Sequence, residues 1–287
     1  MPSNSQLYAA LRNSAVPLED EIITANVIIY GPPGAGKTVE LVKLAQAVTA
    51  PDKEIVYLDS AQGFVSLKNH PGLMKRVIRY RFKGVSQLGT LAAAIAEKAE
   101  GFENVGAVII DEVSSIAKED LSLVVVARIK AEKITEYDGA DWPGYNANLE
   151  RVSRELRKLY KLPIHILMAS HMRESEVQSG ANKGKRVKRP SMPPELAEVG
   201  NGLAHVLAYM ESSIKDVGGK VQYVHTLQVH SSSLVNAKSR VGGLPVKVTP
   251  DVFNQRMVEF VQSGTEVNEE KPIEVDDSFA IGIEVEE

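Results

Sequence analysis

Residues 31–38 read Gly31-Pro32-Pro33-Gly34-Ala35-Gly36-Lys37-Thr38. The spacing is G-x-x-x-x-G-K-T, and each residue type has a chemical reason. Glycines let the backbone wrap around phosphate oxygens with its N–H groups turned inward. Lys37 brings a compact positive charge to the outer phosphates, and the Thr38 hydroxyl is a ligand for Mg²⁺. Before the motif, Ala25 to Tyr30 (ANVIIY) is a short apolar run suited to a buried strand. After it, Gly36 to Val48 places Val39, Leu41, Leu44 and Ala45 on one side of a helix. That helix adds the positive end of its dipole to the loop. The eight residues therefore predict a site for ATP with Mg²⁺.

Moving outward, Glu54 to Asp59 (EIVYLD), Gly106 to Asp111 (GAVIID) and Pro163 to Ala169 (PIHILMA) read as further buried strands. Val77 to Phe82 is another strand candidate. Ser86–Glu100, Ser114–Ala131 and Asn146–Tyr160 read as helices between them. This alternation predicts an α/β fold, a mainly parallel sheet covered by helices on both faces. Leu203–Met210 and Lys220–His230, separated by Gly218-Gly219, predict an antiparallel extension at one edge. Thr249-Pro250 opens a last helix, with threonine as cap and proline as its first residue. Tyr137 to Tyr145 reads as a loop. Arg173 to Gly200 is polar and basic, with prolines at 190, 193 and 194, and reads as a long functional loop. The expected division is an N-terminal arm or helix over residues 1–24, a core over 25–262 and a disordered acidic tail over 263–287.

Charge supports that division. The chain has 287 residues and a net charge of −4. From Gln262 onward, nine carboxylates stand against one base, Lys271, so the rest of the chain is mildly basic. A basic body suits an anionic partner such as nucleic acid. The absence of cysteine excludes disulfides and thiolate metal sites. No apolar run approaches the roughly 20 residues of a membrane span, and no secretion signal opens the chain. A cytoplasmic location with no membrane partner is the expectation.

Val108 to Asp111, followed by Glu112, supplies the second part of the site. A buried strand carries Asp111 to its C-terminal edge, where open parallel sheets bind ligands. Asp111 is expected to hold Mg²⁺ with Thr38, and Glu112 to polarise the attacking water. Gln62, just past the strand ending at Asp59, is a further candidate for placing water. His171, just past the strand 163–169, is a candidate sensor of the outermost phosphate.

Several segments together resemble the RecA-like P-loop ATPases of bacteriophages, related to recombinases and single-strand annealing proteins. These are GPPGAGKT, YLDSAQG, VIIDEVSSI, DWPGYN before a charged helix, LMASH, and AKSR near the end of the core. The resemblance covers roughly residues 25–262. It implies a RecA-like core and ATP-dependent binding of single-stranded DNA in phage recombination or replication. Such proteins usually carry a glutamate just after the second core strand; here Asp59-Ser60-Ala61-Gln62 has none, which leaves Glu112 as the water activator or makes turnover slow. Lys238 and Arg240 match basic fingers presented to a neighbour's ATP, which implies a homo-oligomer, ring or filament. Arg173, Lys183, Lys185, Arg186, Lys188 and Arg189 fall in the loop that binds DNA in such folds. Trp142 and Tyr145 are candidates for base stacking or for the core. A replication or single-strand-binding protein is a candidate partner for the tail. A helicase, helicase loader or other motor, and a nucleotide-switched adaptor, share the same ATP site and are the alternatives.

Overall fold

The computed structural model describes residues 22–131, 142–177, 183–192, 202–217 and 220–263. The expected N-terminal arm falls almost entirely outside the described residues. So do the acidic tail, the Gly218-Gly219 turn and the 137–141 part of the expected loop.

Among the described residues, eight strands lie on one sheet path and a ninth pairs with β7. They are β1 (Asn26–Gly31), β2 (Glu54–Asp59), β3 (Val77–Arg81), β4 (Val105–Asp111), β5 (His165–Glu176), β7 (Val206–Val217), β8 (Lys220–Gln228), β9 (Lys238–Ser239) and β10 (Lys247–Val248). The order across the sheet is β10-β8-β7-β1-β5-β4-β2-β3, with β9 on β7. A tenth strand, β6 (Arg186–Pro190), pairs with the outer half of β5. All pairings from β7 to β3 along the order are parallel, and those involving β8, β9 and β10 are antiparallel. The predicted parallel core with an antiparallel edge is therefore present.

Burial explains the run-like sequences of the central strands. Every residue of β1 is buried, because helices cover both faces. One face carries Val27, Ile29, Tyr57, Ile109 and Leu167 against α1 (Lys37–Val48) and the last helix, α6 (Pro250–Ser263). The other carries Ile28, Tyr30, Leu58, Ile110 and Met168 against α3 (Ser86–Ala96), α4 (Val113–Lys130) and α5 (Trp142–Tyr160). Between β2 and β3 lie a short helix, α2 (Phe64–Leu67), and a 3₁₀ turn at Pro71–Met74. In α5, Leu149, Val152, Leu156 and Leu159 form the buried stripe of an amphipathic helix. As expected, α6 begins at Pro250, and the Phe253 N–H bonds to the Thr249 carbonyl at 3.0 Å.

Two expectations change. Trp142 to Tyr145 is not loop but the first turn of α5. Trp142 is 71% exposed, so it is no core anchor; its ring stacks on Tyr145 at 6.2 Å between centroids. Second, the basic stretch after His171 is not simply a loop. β5 continues to Glu176, and β6 returns antiparallel to it, with Met172 opposite Pro190 and Glu176 opposite Arg186. Proline is tolerated because it ends the strand. Gly184, at φ 82°, takes the left-handed conformation in the returning turn.

The α1–α6 interface holds a buried carboxyl, Glu40, with its Oε1 unpartnered among the described residues. Burial pushes its pKa up from 4.5 to about 7, with Lys43 and Asn254 offsetting part of the rise. Between those pH values an unfolded chain ionises this group while the folded chain keeps the proton. Stability therefore falls as pH rises from 4.5 to 7, by up to about 3 kcal/mol, and levels off above that. Glu40→Gln is expected to remove this slope and to gain most at pH 8, measured as urea midpoints between pH 4.5 and 8. An unchanged slope would rule out Glu40 as its source.

Candidate nucleotide site

The site lies at the C-terminal edge of the parallel strands, where β1 ends at Gly31. β5 lies between β1 and β4, with His171 level with Gly31. Gly34 and Gly36 sit at φ 78° and 92°, a region that side chains disfavour, and they give the loop its inward curl. Lys37 is buried, and its Nζ donates to the carbonyls of Gly31 and Pro32 at 3.0 Å each. Burial lowers its pKa, while Glu112 and Asp111 pull the other way. The ammonium is thus held across the mouth of its own loop by two neutral acceptors, which an anionic phosphate outcompetes.

Thr38 and Asp111 are in direct contact. The Thr38 hydroxyl donates to Asp111 Oδ2 at 2.7 Å. The same oxygen accepts a hydrogen bond from the Tyr57 hydroxyl at 2.5 Å. Burial raises the Asp111 pKa, opposed by these two donors, and burial with the Asp111 charge raises that of Tyr57 far above its usual range. A threonine hydroxyl beside a buried carboxylate is a donor set that fits Mg²⁺, whose other ligands come from phosphate and water. Tyr57 was not legible as a site residue. It lies two residues before the strand end in a run that reads as core, and only the pairing of β2 with β4 brings it under Asp111. Gly63 belongs to the same arrangement: a β-carbon there would lie 2.1 Å from Asp111 Oδ2.

Glu112 is buried and turned toward His171. Its Oε1 accepts the His171 backbone N–H at 2.8 Å, and its Oε2 lies 2.6 Å from His171 Nε2. Ser60 clamps its backbone: the Ser60 hydroxyl accepts the Glu112 N–H at 2.7 Å and donates to the Glu112 carbonyl at 2.9 Å. The two candidates Glu112 and His171 therefore form one unit. Gln62 stands on the same edge, exposed, at φ 59°. His165, within β5, accepts the Ala25 N–H through Nδ1 at the far end of the sheet.

Lys238 and Arg240 are not near this site. Lys238 pairs with Leu207, which is level with Ile28, and the Arg240 N–H bonds to the His205 carbonyl two residues further down. Along the strands this puts Lys238 about 10 Å and Arg240 about 17 Å from the level of Gly31.

The basic residues divide by face. Arg173 stands directly opposite Arg189 across the β5–β6 ladder, while Glu174 faces Lys188 and Glu176 faces Arg186. Lys188 turns inward, 4.7 Å over the Tyr209 ring and 4.0 Å from Glu211. Lys183, Lys185 and Arg186 are exposed toward the tip. Arg173 also lines a cavity of about 210 Å³ with Lys118, Tyr145, Asn148 and Met192.

Among the described residues, no helix is long and apolar enough to cross a membrane. A family model described as an AAA domain matches residues 23–241, from just before β1 to just past Arg240. A search of curated proteins found no match.

Proposed function

The chain belongs to the AAA domain family, and on that premise we propose that it is an ATP-hydrolysing protein of RecA-like type that binds single-stranded DNA in phage recombination or replication. Lys37 and the loop amides hold the triphosphate. Thr38 and Asp111 hold Mg²⁺, which when bound neutralises charge developing on the phosphates. Glu112 leaves His171 to accept a proton from the attacking water. Lys238 and Arg240 serve a neighbouring copy's ATP, in a ring or filament; a chain that stays monomeric with ATP and DNA would remove this part.

The observation that carries the DNA reading is the Arg173–Arg189 pair. Two like charges directly opposite on a ladder are destabilising on their own, and an anion between them reverses the sign. The pair sits two residues beyond His171, the residue that Glu112 grips. Phosphates of a single strand fit this site, with Lys183 and Lys185 extending it and the exposed Trp142 offering a stacking face. Charge reversal of Arg173 and Arg189 is expected to weaken binding at least tenfold. It should also flatten the plot of log affinity against log salt by about 0.7 per arginine. Binding by fluorescence anisotropy across a salt series, with ATPase rates measured with and without the strand, provides the test. Salt-insensitive binding, or none lost in the variant, would overturn the assignment.

A further inference from the structure

We infer that the β7–β8 hairpin takes the nucleoside end of the bound nucleotide, with the Ile214–Tyr223 pair against the base and His225 at the ribose side. The inference rests on the reading of Gly31–Thr38 as the triphosphate loop and extends it to a part of the ligand that no motif addresses.

Side chains alternate along a strand, and residues paired across a ladder share a face. Met210, Ser212 and Ile214 therefore continue the face of β7 that bears Val206 and Ala208, packed on the α1 side of the sheet. Their partners on β8 are Leu227, His225 and Tyr223. Met210 and Leu227 are buried beneath the loop. The next row touches the loop itself: a β-carbon at Gly36 would lie 3.3 Å from both the His225 ring and the Met210 methyl. The Ile214–Tyr223 row follows, about 7 Å further along the strands. That is about the separation between an α-phosphate and the base it carries.

Polarity gives the same assignment. Thr38, Asp111 and Glu112 mark the metal end, on the side of β1 occupied by β5 and β4. The β7–β8 hairpin lies on the opposite side of β1. A triphosphate whose outer end points to Asp111 and Glu112 sends its α-phosphate and nucleoside toward the hairpin.

The chemistry fits a nucleoside. Ile214 and Tyr223 are 65% and 69% exposed, a large aliphatic and an aromatic side by side where solvent-facing strand residues are usually polar. A planar base covers both by stacking and apolar contact. Nearer the loop, His225 Nδ1 is buried with no hydrogen-bond partner among the described residues, a polar atom that a ribose or α-phosphate oxygen can satisfy.

Calorimetric titration of the full chain with ATP and with inorganic tripolyphosphate, both with Mg²⁺, tests this. The wild type should bind ATP more tightly than tripolyphosphate. Ile214→Ser with Tyr223→Ala should cut ATP affinity about tenfold and leave tripolyphosphate affinity unchanged, and Tyr223→Trp should retain ATP affinity. Equal wild-type affinities, wild-type ATP affinity in the double variant, or equal loss of both ligands would each overturn the inference while leaving the triphosphate loop intact. Failure of the wild type to bind either ligand would overturn both readings.

Discussion

Lys37→Ala is expected to abolish magnesium-dependent nucleotide binding, with affinity falling at least a hundredfold. The ammonium is the one full positive charge built into the loop, and it sits in a buried setting where a charge-assisted bond is strong. A hundredfold corresponds to about 3 kcal/mol, within reach of one desolvated lysine losing contact with two phosphate groups. Folding should survive. Among the described residues Lys37 donates to two carbonyls of its own loop, so its removal leaves two acceptors for water to satisfy. A fluorescent ATP analogue titrated with and without Mg²⁺, beside a thermal melt, separates the two effects. Wild-type affinity in the variant would contradict the assignment of the loop.

The difference between what was legible in the sequence and what was not follows the range of the interactions. The loop at 31–38 was legible because its chemistry is local: two glycines at positive φ, a lysine and a threonine at fixed spacing. The parallel core was legible because buried strands such as β1 read as unbroken apolar runs. The β5–β6 hairpin was obscured because β6, RVKRP, buries only Val187 and Pro190 among charges and so lacks a clear alternating pattern. Tyr57 and Ser60 were missed because their roles depend on β2 lying beside β4, a long-range pairing with no local signal. Tyr223 and His225 were read correctly as strand, but their closeness to Gly36 comes from β7 pairing with β1.

Glu112→Gln should leave ATP binding near wild type and lower the hydrolysis rate by a hundredfold or more, the range typical of losing a general base. Glutamine is isosteric, and its amide oxygen can still accept the His171 backbone N–H, so the base of the β5–β6 hairpin keeps its anchor. The Ser60 clamp involves only the backbone of residue 112 and is unaffected. What the variant loses is a carboxylate able to take a proton. Gln62 is the competing group, and it cannot act as a base; at most it orients water. If Gln62→Ala removed hydrolysis while Glu112→Gln retained it, the water would be placed by the loop after β2, and the Glu112–His171 contact would be structural. If Glu112→Gln alone removes hydrolysis, the same carboxylate that now holds His171 is the one that must turn toward the phosphate. The hairpin bearing Arg173 and Arg189 would then be released at the moment ATP is committed to hydrolysis. Turnover and the grip on a single strand would be coupled through one side chain, so single-turnover hydrolysis and strand release measured together in the wild type should share one rate.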